Sequence, residues 1–230
     1  IWMTDWAGKK PRQLTFHSAQ DIALAFVDEG KAILFMSTRD GDWDLYRIPT
    51  EGGTAERITK HGVGDITISP DGKDLIYSLG SYAWYVQRYQ GSGNHDLWTV
   101  PIAGGIPSQL TTFKGNDRSP AYTPDGKGVW WMRETGGIYD LWQKDFATGD
   151  EWQVTKFPKG TLPLNPQLSP DGKRILIEWE FGLWILEVGT WTMKPVNVDI
   201  DSDWKSFGIV ERTIRAGADQ PDISNDGRFI

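Results

Sequence analysis

The segment Asp96-Leu97-Trp98-Thr99-Val100-Pro101-Ile102-Ala103-Gly104-Gly105-Ile106-Pro107-Ser108-Gln109-Leu110-Thr111 decides the fold, because the chain says it more than once. Its opening phrase returns as Asp44-Leu45-Tyr46 and Asp140-Leu141-Trp142. Its closing phrase returns as Arg12-Gln13-Leu14-Thr15, Glu56-Arg57-Ile58-Thr59 and Trp152-Gln153-Val154-Thr155. From the Asp to the closing Thr the count is 15 in all three complete copies, and successive Thr residues lie 44, 52 and 44 apart. A third phrase falls between copies: Ser69-Pro70-Asp71-Gly72, Thr123-Pro124-Asp125-Gly126 and Ser169-Pro170-Asp171-Gly172, with weaker forms at Val27–Gly30 and Ser224–Gly227. A fixed internal period of this length is the mark of a repeat architecture.

Each unit reads as four strands. An extended segment runs into Pro-Asp-Gly, where Pro presets the first corner and Gly takes the left-handed one. A second strand follows, rich in β-branched and aromatic residues, as in Val129-Trp130-Trp131. The third begins at the Asp-Leu-aromatic phrase, and Gly52-Gly53, Gly104-Gly105 or Thr148-Gly149 turns the chain into the fourth. No capped stretch has helical period. The expectation is an all-β protein, a β-propeller of four-stranded antiparallel blades. Residues 1–15 read as the last two strands of one blade. Complete blades read as 16–59, 60–111, 112–155 and 156–199, and 200–230 as a polar connector and an opening strand. Four and a half blades would leave sheet edges open, so the propeller reads as incomplete in this chain.

Composition agrees and excludes. The chain has 230 residues with 13 Trp, 7 Tyr and 9 Phe, a load of rings that disordered chains lack. It has no Cys, which removes disulfide scaffolds, thiolate metal sites and cysteine nucleophiles. A chain without thiols suits cytoplasm and periplasm alike. The net charge of −7 argues against binding a nucleic-acid backbone, and no apolar run approaches the roughly 20 residues of a membrane span.

The phrases Ser-Pro-Asp-Gly-Lys (69–73, 169–173), Asp-Leu-Trp-Thr-Val-Pro-Ile-Ala-Gly-Gly (96–105) and Gln-Leu-Thr (13–15, 109–111) resemble the repeats of TolB-like, WD-type propellers. The segment Asp40–Gly53 is similar to the N-terminal propellers of tricorn-type serine peptidases. The resemblance covers about residues 1–199. The first blade's turn lacks its Pro, and Gly182 stands where the third strand's Asp is expected. The resemblance implies a non-catalytic propeller portion that gates or guides peptides to catalytic domains elsewhere. A TolB-like module docking proteins in the periplasm is the alternative, and the periplasm is slightly favoured. A carbohydrate-active enzyme with its site in the channel is a third reading. It would need a metal or a His cluster. The implied partners are a peptide or protein, the rest of the propeller and its catalytic domains, with oligomerisation open. No cofactor, metal or catalytic residue is expected.

The residues support that restraint. The only His are His17, His61 and His95, and no Gly-x-Ser-x-Gly elbow occurs. Asp40-Gly41-Asp42-Trp43-Asp44 resembles a calcium loop but lacks the Gly after the third acid and the distal Glu, and so reads as a hairpin tip. Asp71, Asp125 and Asp171 recur at one place and read as turn residues. The repeated Trp98, Trp142 and Trp184 read as packing between blades.

One face keeps a signal. Loops joining strands two to three and four to one share an end of the propeller. There His17 and His61 stand two residues after the closing Thr, and Asp21, Asp65 and Asp117 stand six after it. With Arg118 they form a candidate rim at the channel mouth. From turn Gly to third-strand Asp the count is 14, 24 and 14, so the second blade carries ten extra residues within Ser81–His95. Tyr82, Trp84, Tyr85, Arg88 and Tyr89 make that loop a candidate contact surface, since Tyr, Trp and Arg anchor interfaces.

Overall fold

The computed structural model describes residues 1–198 except Trp6, Tyr82, Trp84, Tyr85 and Gly160. Two short strands, β1 (Trp2–Met3) and β2 (Arg12–Gln13), pair antiparallel. Four antiparallel four-stranded sheets follow, each built from consecutive strands. The first holds β3 (Asp21–Val27), β4 (Ala32–Ser37), β5 (Asp44–Pro49) and β6 (Glu56–Arg57). The second holds β7 (Ile66–Ile68), β8 (Asp74–Leu79), β9 (Asp96–Pro101) and β10 (Ser108–Gln109). The third holds β11 (Asp117–Tyr122), β12 (Gly128–Thr135), β13 (Ile138–Asp145) and β14 (Glu151–Gln153), and the fourth β15 (Leu164–Leu168), β16 (Arg174–Trp179), β17 (Gly182–Glu187) and β18 (Met193–Val196). One 3-10 turn at Asp28–Gly30 is the helical content of the described residues, so the protein is an all-β propeller-type chain. No helix among them is long and apolar enough to cross a membrane. The connector expected at 200–230 lies outside the described residues.

β4, β8 and β12 are buried on both faces over most of their length, because each of the first three sheets is covered on both sides. So β12 opens on the apolar run Val129–Met132 rather than an alternation, whereas β16 of the fourth blade alternates between buried and exposed. The cores lie between blades. Leu34 and Leu45 meet Leu75, Tyr77 and Val100 between the first and second. Ile76 and Leu97 meet Tyr122, Val129 and Trp131 between the second and third. Trp130 and Leu141 meet Ile175, Ile177 and Leu186 between the third and fourth. Ile1 and Met3 pack on Ile33, Phe35 and Tyr46, so the β1–β2 pair covers the other face of the first blade.

The 15-residue count has a direct cause. The amides of Leu45, Leu97 and Leu141 donate to the hydroxyls of Thr59, Thr111 and Thr155 at 2.9, 2.9 and 2.8 Å. The same leucines' carbonyls accept from Ile58, Leu110 and Val154 at 2.8, 2.8 and 2.7 Å. The Thr111 and Thr155 hydroxyls in turn donate to Asp96 and Asp140 at 3.4 and 3.2 Å. Asp44 is held by Arg57 instead. The pattern begins again at the first residue, where the Ile1 carbonyl accepts from Leu14 at 3.0 Å and the Ile1 amino group donates to Thr15. In the fourth blade Gly182 and Asn197 stand at the two positions. There β17 and β18 pair over four positions, Leu183 to Leu186, where the other outer pairs have two or three.

The Pro-Asp-Gly turns are self-contained. The Ser69 hydroxyl donates to Asp71 at 2.7 Å and accepts from Lys73 and Asp74, while the Gly72 amide closes onto the Ser69 carbonyl. Thr123–Gly128 and Ser169–Arg174 repeat this. These hydroxyls and the following lysine amides hold the Asp71, Asp125 and Asp171 carboxyls below the usual range. Turn chemistry accounts for all three.

Two of these glycines differ in one respect. Gly126 and Gly172 share a left-handed φ of 70° and 68°. A Cβ at 172 would fall 2.0 Å from Pro124, whereas one at 126 would meet Pro70 at 3.6 Å. Both Ala substitutions carry the left-handed penalty of about 1–2 kcal/mol. Gly172→Ala should cost about 1–3 kcal/mol more than Gly126→Ala in urea unfolding, by forcing the third and fourth blades apart.

Candidate functional site

The inner strands β7, β11 and β15 wall a cleft of about 460 Å³ that includes Ile66, Thr67, Pro120, Ala121 and Gln167. Its lining reaches the Pro-Asp-Gly turns at Pro70, Pro124 and Pro170 and includes none of the three acids expected at the channel mouth. Those sit at or just before the start of an inner strand, and each is already engaged. Asp21 accepts from Arg39 at 3.0 Å, and the Arg39 guanidinium lies over the Phe35 and Tyr46 rings at 5.0 and 4.7 Å. Burial raises the Asp21 carboxyl, but bonds from Ser37, Thr15 and Arg39 outweigh it and leave its pKa lowered. Asp65 reaches across to the third blade. It accepts from Arg118 at 2.9 Å, the Ser119 amide at 3.1 Å and the Ser119 hydroxyl at 3.2 Å. Ser119 offers both groups because β11 bulges there with a left-handed φ of 52°.

Asp117 is fully buried and takes a two-pronged bond from Arg133 at 2.8 and 2.9 Å. Arg133 also binds Glu151 at 2.9 Å, and its guanidinium lies among Phe113, Trp131 and Trp142 at 4.7, 5.0 and 4.8 Å. Burial pushes the Asp117 carboxyl up, against the pull of Arg133. Arg133 was not among the residues singled out from sequence. The signal for it was a charge ending the apolar run Val129-Trp130-Trp131-Met132. The rim therefore contains ion pairs that tie strands and blades together.

His17 and His61 are exposed on separate blades. The His17 Nδ1 accepts from the Ala19 amide at 3.0 Å, and His61 has a left-handed φ of 74°. No group of three or more His, Asp or Glu among the described residues is placed to hold a metal ion. In the segment Asp40–Asp44, Arg57 bridges Asp40 at 3.2 Å to the buried Asp44 carboxylate, and Tyr46 donates to Asp40 at 2.5 Å.

The insertion of the second blade leans on the third. The Arg88 amide donates to the buried Glu134 carboxylate at 3.2 Å, and Arg88 Nε donates to the Gly136 carbonyl at 3.2 Å. The Gly137 amide reaches the same Glu134 oxygen. Tyr89 is bonded within the loop, its hydroxyl accepting from Gly93 at 3.3 Å. At the return, Asn94 donates to the carbonyls of Phe113 and Gly115 at 3.1 and 2.9 Å. Tyr82, Trp84 and Tyr85 lie outside the described residues. The described part of the loop is thus bonded to the third blade at Arg88 and to the 113–115 segment at Asn94.

Just inside that return lies Asp96. Burial first, and then the Asp117 charge, push its carboxyl up to about 6, against bonds from Thr111, Asn94 and Gln109.

No family model matches the chain. The Tol-Pal system protein TolB of Helicobacter hepaticus is 25% identical over 134 residues, 58% of this chain and 31% of that protein. Dipeptidyl-peptidase 5 of Porphyromonas gingivalis is 27% identical over 151 residues, 55% of this chain and 22% of that protein. The crystal structure of TolB from Acinetobacter baumannii superposes with a TM-score of 0.63 at 23% identity, covering 84% of this chain and 47% of that one. The chain spans less than a third of the length of these two curated relatives. Its blades have the fold of the TolB propeller, and the proteins it is similar to include a peptidase.

The Asp96 environment sets a pH dependence. A carboxyl raised on folding contributes stability that is complete below its unfolded value and lost as pH rises through the folded one. Between pH 4 and pH 7, Asp96 should therefore cost the fold about 1 kcal/mol, after allowance for solvent screening. Urea unfolding of Asp96→Asn and the parent chain should show the variant's relative stability rising by that amount over this range. Parallel pH profiles would contradict it.

Proposed function

We propose that the chain is a non-catalytic propeller portion of a tricorn-like serine peptidase, and that it guides peptides across the face carrying the second blade's insertion. One observation carries the reading. The described part of the insertion bonds to the third blade, to Glu134 and Gly136 through Arg88 and to the 113–115 segment through Asn94. A blade closing on itself has no use for such bonds. Loops held this way on a rigid repeat scaffold are where binding residues concentrate. The dipeptidyl-peptidase relative supports a peptidase context.

A second reading has its own support. The TolB match over 84% of the chain favours a module that docks a folded protein in the periplasm. On either reading the partner is polypeptide, and the chemistry of bond cleavage belongs to another domain.

The test uses the 230-residue chain and a fluorescein-labelled tryptic digest of casein. Saturable binding is expected. Trp84→Ala with Tyr85→Ala should weaken it by about 1–3 kcal/mol and leave the melting temperature unchanged. Binding that is indifferent to the double substitution would refute the insertion's role. Binding of no peptide, together with capture of a folded Tol-system partner, would favour the docking module. Turnover of the labelled peptides by the isolated chain, abolished by one Ser→Ala change, would refute the non-catalytic role.

A further inference from the structure

At the opposite, Pro-Asp-Gly end, a cleft of about 520 Å³ opens between the second and third blades, walled by Asp74, Ile76, Thr99, Leu110, Tyr122 and Phe146. Its origin appears when the blades are compared at one cross-strand pair. In the first blade this pair is Leu34 opposite Arg47, in the second Ile76 opposite Thr99, and in the third Trp130 opposite Gln143. All three pairs face the next blade, because Leu45, Leu97 and Leu141, two residues earlier on the same face, pack there.

The first blade fills this position with an arginine. Arg47 Nε donates to Asp28 in the inner turn at 2.7 Å, and Arg47 Nη1 lies 3.5 Å from Glu56. The third blade fills it with Trp130, whose indole N–H donates to Gln143 at 2.8 Å and whose ring meets Trp191 edge-on at 5.9 Å. The second blade fills it with nothing. Ile76 and Thr99 are short, and the Thr99 hydroxyl is turned to the Leu75 carbonyl at 3.0 Å.

We propose that this cleft receives an arginine side chain from a partner polypeptide. The molecule supplies its own template for such a guest, since Arg47 occupies the equivalent place and pairs there with a turn carboxylate. The acceptor is the carboxylate of Asp74, half-buried on the cleft wall. The backbone of Asp74 is bonded to Ser69, but its carboxylate meets no hydrogen-bond or ion-pair partner among the described residues. Ile76 and Leu110 offer apolar wall to the alkyl stem. Tyr122 and Phe146, ring centroids 5.9 Å apart, offer aromatic surface to the guanidinium. Asp71 and Asp125 stand at the rim, and their charge attracts a cation from solution. Arginine suits the site better than lysine, because its planar fork matches a carboxylate and stacks on rings. This site lies at the other end from the insertion and does not depend on the function proposed above.

The probe is Nα-acetyl-L-arginine amide, with the citrulline analogue as its uncharged isostere, titrated into methyl-labelled protein and read by NMR. The methyl signals of Ile76 and Leu110 should shift saturably with the arginine compound and at least about tenfold more weakly with citrulline. Asp74→Asn should weaken the arginine titration by about tenfold or more. Thr99→Arg, which restores the first blade's arrangement, should abolish binding while the melting temperature stays at or above that of the parent. Absence of shifts at Ile76 and Leu110 up to the solubility limit would overturn the proposal. So would equal response to citrulline, binding unchanged in Asp74→Asn, or undiminished binding in Thr99→Arg.

Discussion

One threonine hydroxyl closes each of the first three complete blades. It accepts from the amide of a leucine in the first half of the third strand, 14 residues earlier in the chain, and in the second and third blades it also donates to the aspartate preceding that leucine. The outer strand is only two or three residues long, so its ladder alone holds few bonds. A side-chain bond at the end of so short a strand fixes its register, because a slip of one residue would take the hydroxyl out of reach. With the outer edge fixed, the leucine and the residues flanking it are delivered to the same depth in every blade, and the interblade cores follow. The fourth blade makes the same point from the other side. It has neither partner and pairs over four positions instead.

A scaffold standardised in this way confines variation to what projects between blades and beyond their ends. The pairs Leu34–Arg47, Ile76–Thr99 and Trp130–Gln143 occupy one frame and differ in size and charge, and the difference decides whether a gap is filled by an ion pair, by an indole or left as a cleft. The loop of the second blade likewise changes no strand register, yet bonds to Glu134 and Gly136 of the third. Both departures involve the second blade, one at each end of its sheet.

The repeat was legible because its marks are chemical. Asp, Leu and Thr at fixed spacing are the partners of one hydrogen-bonded cluster, and Ser-Pro-Asp-Gly is a turn that satisfies itself. The candidate rim was legible in position but not in pairing. Asp21, Asp65 and Asp117 look equivalent in the chain, yet they meet Arg39, Arg118 and Arg133, which come from unlike places in the repeat. The cage of Phe113, Trp131 and Trp142 around Arg133 draws on three segments, and only the fold brings them together. The cleft at Asp74 was invisible for a related reason. It arises from what Ile76 and Thr99 fail to fill, which becomes apparent only when strand registers can be laid over one another.

The claim that the threonine hydroxyl closes each blade is tested most directly by hydrogen exchange at the leucine amides. Thr59→Val, Thr111→Val and Thr155→Val each keep the side chain's shape and remove the acceptor. Exchange should accelerate about tenfold or more at Leu45, Leu97 or Leu141 respectively, in the substituted blade and not in the others, in keeping with about 1–2 kcal/mol for a buried donor left unpaired. Leucine amides that stay as protected as in the parent chain in all three variants would contradict the account.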